Sequence, residues 1–431
     1  MNEIENKNEI EEQSENKKNI LIIGNSAREY TLAKKLSEQD EIGEIYVAPG
    51  NDATKEFATV IDIREDSTEE LLNFAMENDI YLTIASGEKS IKANIAGAFQ
   101  ANNQLIFAPT AQSAEICAFK STGKRFMYKN HIPCTRFGIF DKQNTAVDYV
   151  NNSPMPVVVK TDEHAHCKNT LVCQTPQIAE AYIDDLFASG EKKVLIEEYA
   201  FGHEFSFYVV TDGYKALPLG SVANYKFSLD GNGGAITPGM GAYTPDYKIT
   251  KQIERKVLQQ IIYPTLNALE RMQTPYVGIF GVDCILSNQD QIYALEFNSF
   301  IQDPDCEAIL AVLDDDLFKI MQACAIGSFA DDYEAISIAD KYAISCVLSS
   351  GRKEGSIIKG LEDLDDETQV AHFNTKKNEY LEYVTTGGRA VSLTRCANTF
   401  SRAINQLYEE VDLVKFDGKT FRKDIGKILD Y

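Results

Sequence analysis

Apolar and polar positions near the start of this chain fall into two alternating patterns. Asn19-Ile20-Leu21-Ile22-Ile23 is a short apolar run closed by Gly24, and Tyr30, Ala33 and Leu36 then recur at helical spacing within residues 28–36. The spacing predicts a strand, a tight turn and a helix. Runs at 44–48, 81–85 and 105–108 repeat the strand pattern, and residues 67–76 and 91–101 repeat the helical one. Strands alternating with helices imply a parallel sheet covered on both faces.

After Pro109 the pattern changes. A helix is expected over 114–128, a turn at His131-Ile132-Pro133, and strands at 137–140, 155–160, 171–174, 194–198, 204–210 and 216–220. A Gly-rich segment at 231–241, a helix over 251–271 and strands at 277–286 and 291–295 follow. A last unit from about residue 338 shows a strand at 342–349, a loop at Thr385-Thr386-Gly387-Gly388-Arg389, a strand at 390–394 and a helix at 398–410. No fixed-period repeat is visible. The expected organisation is a polar tail at 1–18, a parallel α/β domain at 19–118, a central domain at 119–335 with a small lid at about 137–210, and an α+β C-terminal domain at 336–431.

Length supports this division, because 431 residues exceed what one core covers. Residues 1–18 hold too little apolar surface to order themselves, so a disordered tail is expected. With 65 acids against 42 Lys and Arg the net charge is -23, which argues against a nucleic-acid surface or an anionic membrane as main partner. No run approaches the length of a membrane span, no cleavable leader pattern opens the chain, and a cytoplasmic protein is expected. Nine irregularly spaced cysteines, none in a C-x-x-C pair, read as reduced thiols used as small hydrophobes.

The chemistry concentrates on the two strands before residue 300. The run 277–286 carries a lone acid, Asp283, and the next run ends in Glu296-Phe297-Asn298. Magnesium, a hard ion, is suited by an Asp, a Glu and an Asn amide oxygen at one end of a sheet, with substrate phosphates completing its shell. Asp283 or Asn298 taken singly reads as a turn or strand-end residue; their joint spacing points to a metal site and a nucleoside triphosphate. Lys120, on the helix opening the central domain, and Lys160, at a strand end, place ammonium groups where phosphates can be met as point charges. Glu197-Glu198-Tyr199 ends a strand whose backbone suits an adenine edge, and Glu204 suits ribose hydroxyls, a solvated strand-end charge being the plainer reading of each. The Gly24 turn leads into a helix N-terminus, a ready phosphate site that fits a ribose 5-phosphate, with Arg28 placed to add a charge-assisted bond. His164-x-His166-Cys167 with Cys173 beyond offers zinc-type ligands, but without the paired spacing of structural zinc sites.

In order along the chain, Ile23-Gly24-Asn25 with Arg28-Glu29, Ala48-Pro49-Gly50-Asn51, Ala108-Pro109-Thr110, Ile196-Glu197-Glu198-Tyr199 and Gly239-Met240-Gly241-Ala242-Tyr243 precede Glu296-Phe297-Asn298, Asp303-Pro304, Thr386-Gly387-Gly388-Arg389 and Arg422-Lys423-Asp424-Ile425-Gly426. Taken together these pieces resemble the phosphoribosylamine-glycine ligase family of ATP-grasp enzymes, from about residue 19 to the C-terminus. The resemblance implies an ATP-grasp fold and ATP with Mg2+ (or Mn2+) held by Asp283, Glu296 and Asn298. It implies Lys120, Lys160, Asp283 and Glu296 as the catalytic set, and ATP contacts at Lys120, Lys160, Glu197, Glu198, Tyr199 and Glu204. It also implies substrate contacts at Gly24, Asn25, Arg28, Glu29, Pro49, Gly50, Asn51, Glu88, Gly239, Gly241, Asp303 and Pro304, for glycine and phosphoribosylamine. The reaction implied runs through glycyl phosphate and needs no protein nucleophile.

The chain departs from that family near the chemistry. The loop after Lys160, rich in Gly and Ala in the family, reads Thr161-Asp162-Glu163-His164-Ala165-His166-Cys167-Lys168-Asn169-Thr170 and has no glycine. The family's Asp-His-Lys-Arg reads Asn224-Tyr225-Lys226-Phe227, its Arg-Phe-Gly reads Phe300-Ile301-Gln302, and its Gly-Tyr-Pro is replaced around Ser350-Gly351-Arg352. Asp283 stands where the ligases carry glycine. Three readings are therefore carried forward: the glycine ligase, an ATP-grasp ligase for another carboxylate or amine, and a catalytically silent nucleotide-binding protein.

Overall fold

A computed structural model of the chain describes residues 17–162 and 170–427. The expected tail therefore lies almost wholly outside the described residues, as do His164, His166 and Cys167.

In the first domain β1 (Lys18–Gly24), β2 (Ile42–Pro49), β3 (Thr59–Val60), β4 (Ile80–Ala85) and β5 (Ile106–Phe107) form a sheet in the order β3-β2-β1-β4-β5, every pair parallel. Both faces of β1 are covered. Ile20 and Ile22 pack with Leu32, Ala33 and Leu36 of the helix Ala27–Ser37, while Leu21 and Ile23 pack with Leu71, Ala75 and Phe99 of helices on the other face. The first of these clusters continues into Ile309, Phe318 and Met321, so the first and central domains share one apolar core.

A second sheet holds β6 (Phe137–Phe140), β7 (Val157–Thr161), β8 (Thr170–Cys173) and β9 (Val194–Glu198), antiparallel in the order β6-β9-β7-β8. The helices Gln143–Asn151 and Pro176–Ala188 close its core through Ala146, Val150, Ala179 and Ile183. This sheet ends at Glu198. The strand β10 (Gly202–Thr211), assigned to the lid from sequence, belongs instead to the central sheet, where Phe205, Phe207 and Val209 face Ile253, Val257, Ile261 and Leu266.

The central sheet is antiparallel and runs β14-β13-β10-β11-β12-β15-β18-β16, with β17 on β18. Its strands are β11 (Ala216–Leu229), β12 (Gly233–Thr244), β13 (Gly278–Ser287), β14 (Ile292–Asn298), β15 (Tyr342–Ile357), β16 (Gln369–His372), β17 (Thr375–Lys377) and β18 (Tyr383–Ala397), beside β10. The β12–β15 pair carries the sheet from the central into the C-terminal part, where Ala403, Leu407 and Val411 of the helix Phe400–Leu413 pack on it.

Among the local expectations that differ, the helix over 114–128 divides at the extended Phe119 into Glu115–Ala118 and Lys120–Lys129, and four others follow. The strand at 216–220 continues to Leu229 and so carries residues 224–227. Thr385–Arg389 is strand rather than loop: Gly387 and Gly388 take φ of 92° and 71° and absorb register shifts against β15. The helix over 91–101 divides into Glu88–Lys92 and Ile95–Ala101 at Asn94, whose φ is 55°. The helix over 251–271 contains a π turn at Leu258–Ile262 just before Pro264, which has no N–H to give the helical ladder. Among the described residues no helix is long and apolar enough to cross a membrane.

Candidate functional site

Strands β13 and β14 bring Asp283 and Glu296 directly opposite one another, and period-two alternation puts Asn298 on the same face as Glu296. Both oxygens of Asp283, which is 2 % exposed, are taken. Ser206 Oγ and Asn298 Nδ2 donate to its Oδ1 at 2.6 and 3.0 Å, and Lys226 Nζ to its Oδ2 at 2.8 Å. Lys226 also lies 3.4 Å from the half-exposed Glu204. Burial alone would lower the pKa of this ammonium; the facing carboxylates of Asp283, Glu204 and Glu296 outweigh it and hold Lys226 well above the usual lysine range. Glu296 faces Lys120, with Nζ 3.5 Å from Oε2, and Asn298 Oδ1 accepts from Gln302 Nε2 at 3.0 Å.

On the lid, Glu197 turns its side chain inward. Lys124 Nζ stands 2.7 Å from Oε2 and Lys160 Nζ 2.8 Å from Oε1, while Thr135 Oγ1 donates to Oε2 at 2.6 Å. The Lys160 contact is an ion pair with its ammonium off the ideal hydrogen-bond direction, which leaves Oε1 without a hydrogen-bond partner. Burial raises the carboxyl's pKa, but the two ammoniums prevail and bring it to about 2. Glu198 is exposed and its N–H donates to the Arg136 carbonyl, whereas the Tyr199 ring meets the exposed Phe201 edge-on at 4.8 Å. Asp162, at the loop entrance, accepts Lys120 N–H on its carbonyl and Ser121 N–H on its carboxylate, both at 2.8 Å. It thereby caps the helix Lys120–Lys129.

At the edge of the first domain, Gly24 has φ of 141°, and a Cβ there would sit 2.5 Å from the Glu29 carboxyl carbon. Glu29 fills that space. Its Oε2 accepts Ser26 N–H at 2.9 Å, and its Oε1 accepts Ser86 Oγ at 2.6 Å and Arg28 Nε at 2.7 Å. The helix start expected to take a phosphate thus already carries a carboxylate. Arg28, expected as a phosphate contact, is buried over the Phe300 ring and donates Nη1 to the Ile301 carbonyl at 3.1 Å, which ties the first domain to the central one. Asn25 is exposed, and Pro49 and Gly50 lie at the β2 end with Gly50 N–H on the Gly24 carbonyl. Asn51 Oδ1 accepts Thr54 N–H, and its amide donates to the His372 carbonyl. Glu88 is engaged by Lys92 one helical turn on, at 2.8 Å.

The C-terminal part meets the central domain through Arg389, which the sequence placed in a matching stretch without giving it a site role. Arg389 Nη1 donates to the carbonyls of Gly239 and Asp303 at 3.4 and 3.2 Å, and Nη2 lies 3.6 Å from the Asp303 carboxylate. Burial raises the Asp303 pKa against Arg28 and Arg389. Pro304 packs close to Gly239, where a Cβ would sit 2.8 Å from Pro304 Cδ. Gly241 faces elsewhere: a Cβ there would overlap Ile425, so this glycine serves packing of the C-terminal segment. Lys124, Ser206, Lys226 and Arg389 are the site residues missed. Signals were present for three of them: Lys124 lies one helical turn after Lys120, and Lys226 and Arg389 lie in stretches already compared with the family.

Glu296 and Asn298 offer a carboxylate and an amide oxygen on one face, a donor set that suits one hard divalent ion. Among the described residues no three His, Cys, Asp or Glu are placed to hold a metal. Cys173 packs in the lid core, and the other residues of that suggested cluster lie outside the described residues.

The lid sheet over a central antiparallel sheet, with facing lysines and carboxylates between them, defines an ATP-grasp protein. Residues 18–117, 118–306 and 349–428 match the N, ATP-grasp (A) and C domains of phosphoribosylglycinamide synthetase. Phosphoribosylamine–glycine ligases of Halalkalibacterium halodurans and Yersinia pestis are 33% and 32% identical, over 95% of this chain and 96% and 98% of theirs. The chain belongs to the phosphoribosylglycinamide synthetase family. Its fold follows the phosphoribosylamine–glycine ligase of Thermotoga maritima with a TM-score of 0.81 at 23% identity, covering 94% of this chain and 99% of that one. A biotin carboxylase domain from Hydrogenobacter thermophilus, in complex with MgADP and bicarbonate, aligns with a TM-score of 0.71 at 16% identity, over 94% and 91% of the two chains.

Proposed function

We propose that this chain is an ATP-dependent C–N ligase that joins glycine to 5-phosphoribosylamine, yielding glycinamide ribonucleotide, ADP and phosphate. The observation that carries the reading is the facing of Lys120 and Glu296 at 3.5 Å, with Asn298 on the same face of β14 as Glu296. A cation suited to phosphate and a carboxylate suited to a divalent ion thus stand side by side. Lys120 and Lys160 would bind the ATP phosphates, the β9 end would take the adenine, and Glu204 the ribose. Glu296 and Asn298 would hold a divalent ion, which when bound neutralises phosphate charge. The glycine carboxylate attacks the γ-phosphorus and ADP leaves. The amine of phosphoribosylamine then attacks the glycyl carbonyl carbon, the C–O bond to phosphate breaks, and phosphate departs with one amine proton lost to solvent. The backbone at Gly24, Asn25, Pro49 and Gly50, with Gly239 and Asp303, would line the amine's place. The lid's part is to exclude water from the acyl phosphate.

A second reading, the same chemistry on another carboxylate or amine, is favoured by the state of Arg28, whose guanidinium is spent on Glu29 and the Ile301 carbonyl. ADP release by the purified protein with Mg-ATP, glycine and phosphoribosylamine, beside single omissions, separates the two. Turnover that needs both substrates supports the glycine ligase. Turnover indifferent to glycine but restored by another acid selects the second reading.

A further inference from the structure

We infer that Asp283 is a positioning residue that fixes the Lys226 ammonium toward the transferred phosphoryl group, and that it does not hold the divalent ion. The inference rests on the ATP-dependent ligase reading. Its geometry is that of a finished site. Ser206 Oγ accepts from Asn224 Nδ2 at 2.7 Å, so its own proton is committed to Asp283 Oδ1, and Asn298 Nδ2 fills the remaining acceptor direction of that oxygen. The other oxygen meets Lys226 at 2.8 Å. A metal ion entering at Asp283 would have to expel an ammonium that Glu204 also faces. Expelling it would strand a buried charge, which is costly.

Lys226 is held as firmly as its partner. The Thr237 hydroxyl donates to its carbonyl at 2.8 Å. On either side, the Phe227 carbonyl accepts from Arg422 Nη1 at 3.2 Å and the Tyr225 hydroxyl accepts Gly426 N–H at 2.8 Å. The C-terminal segment therefore pins the strand that carries the ammonium. A cation fixed by Asp283 beside Glu296 and Asn298, the residues that would hold a divalent ion, would supply charge to a developing phosphoryl transition state without reorganisation.

Asp283→Asn is a selective probe, because the new amide keeps an oxygen for Ser206 and Asn298 and turns its NH2 toward Lys226. Mn2+ binding is followed by electron paramagnetic resonance with a non-hydrolysable ATP analogue, and kcat is measured on Asp283→Asn, Lys226→Met and the double variant. The expected result is Mn2+ affinity within about twofold of the unaltered protein for Asp283→Asn, against a clear loss for Glu296→Gln. Each single variant lowers kcat by about 100-fold, and the double variant is no worse than either, since the two residues act as one unit. Mn2+ binding weakened in Asp283→Asn as in Glu296→Gln, or kcat losses that multiply, overturns the inference. If Asp283→Asn fails to fold, Lys226→Met decides: an unchanged kcat overturns it and a lost kcat with Mn2+ still bound supports it. If the unaltered protein ligates nothing, the ligase reading fails, and the Mn2+ comparison still reports on Asp283.

Discussion

Lys160 Nζ lies 2.8 Å from Glu197 Oε1 on neighbouring strands of the lid, and the other carboxylate oxygen is held by Lys124. One buried acid therefore sets the position of Lys160 and joins the lid to the helix that carries Lys120. Replacing Glu197 by Gln leaves two cations facing a neutral group. The expected outcome is a loss of about 3–5 kcal/mol in urea unfolding, typical of breaking a buried pair, with a rise in KM for ATP. The acid side of the stability profile changes too. The folded pKa of about 2 lies below the ordinary 4.5, so the stabilisation is full above 4.5 and is lost as pH falls toward 2. The Gln variant lacks that part of the acid dependence.

Metal dependence should centre on Glu296 and Asn298. Chelation with EDTA is expected to abolish turnover and added Mg2+ to restore it. Glu296→Gln is expected to raise the Mg2+ needed for half-maximal rate by at least about tenfold, the scale on which even outer-shell changes act. A metal titration of the rate reads both.

Asp305 predicts a slope of opposite sign. Burial pushes its carboxyl up to about 7 against the hydrogen bond from Tyr208, so the folded chain binds a proton that the unfolded chain releases near 3.8. Stability from this group is present below pH 3.8 and falls as pH rises toward 7. Asp305→Asn should flatten thermal stability across that window, a result read from melting curves at several pH values.

Gly239 is set against the Asp303 carbonyl: a Cβ would stand 2.3 Å from it, at a φ of 148°. Gly239→Ala must move the Asp303 backbone and the Arg389 bonds that join the two residues. A displacement on the scale of an ångström near the chemistry costs about 100-fold, so kcat/KM is expected to fall by that much in steady-state assays.

The α/β character of the first domain was legible because β1 is buried on both faces, which leaves an unbroken apolar run. The facing of Asp283 and Glu296 was legible for a similar reason, since they lie on consecutive antiparallel strands. What occupies Asp283 was not, because Lys226 stands on β11 and reaches β13 past the intervening β10, a strand order that no local pattern encodes. Arg28 and Asn51 were read as open contacts, but side chains at domain edges are as readily spent on joining domains, and both are. Glu88 is engaged instead by Lys92 within its own helix. The glycines at 387 and 388 suggested a loop because glycine marks turns and strand bulges alike.

The central claim is that ATP activates the carboxylate of glycine. The direct measurement supplies glycine labelled with 18O in its carboxylate, with Mg-ATP and phosphoribosylamine, and reads the inorganic phosphate by mass spectrometry. One labelled oxygen in the phosphate for each amide formed is the predicted result, because the C–O bond of glycyl phosphate breaks when the amine attacks. Product formed with unlabelled phosphate, or ATP consumed with no label transferred, would contradict the account.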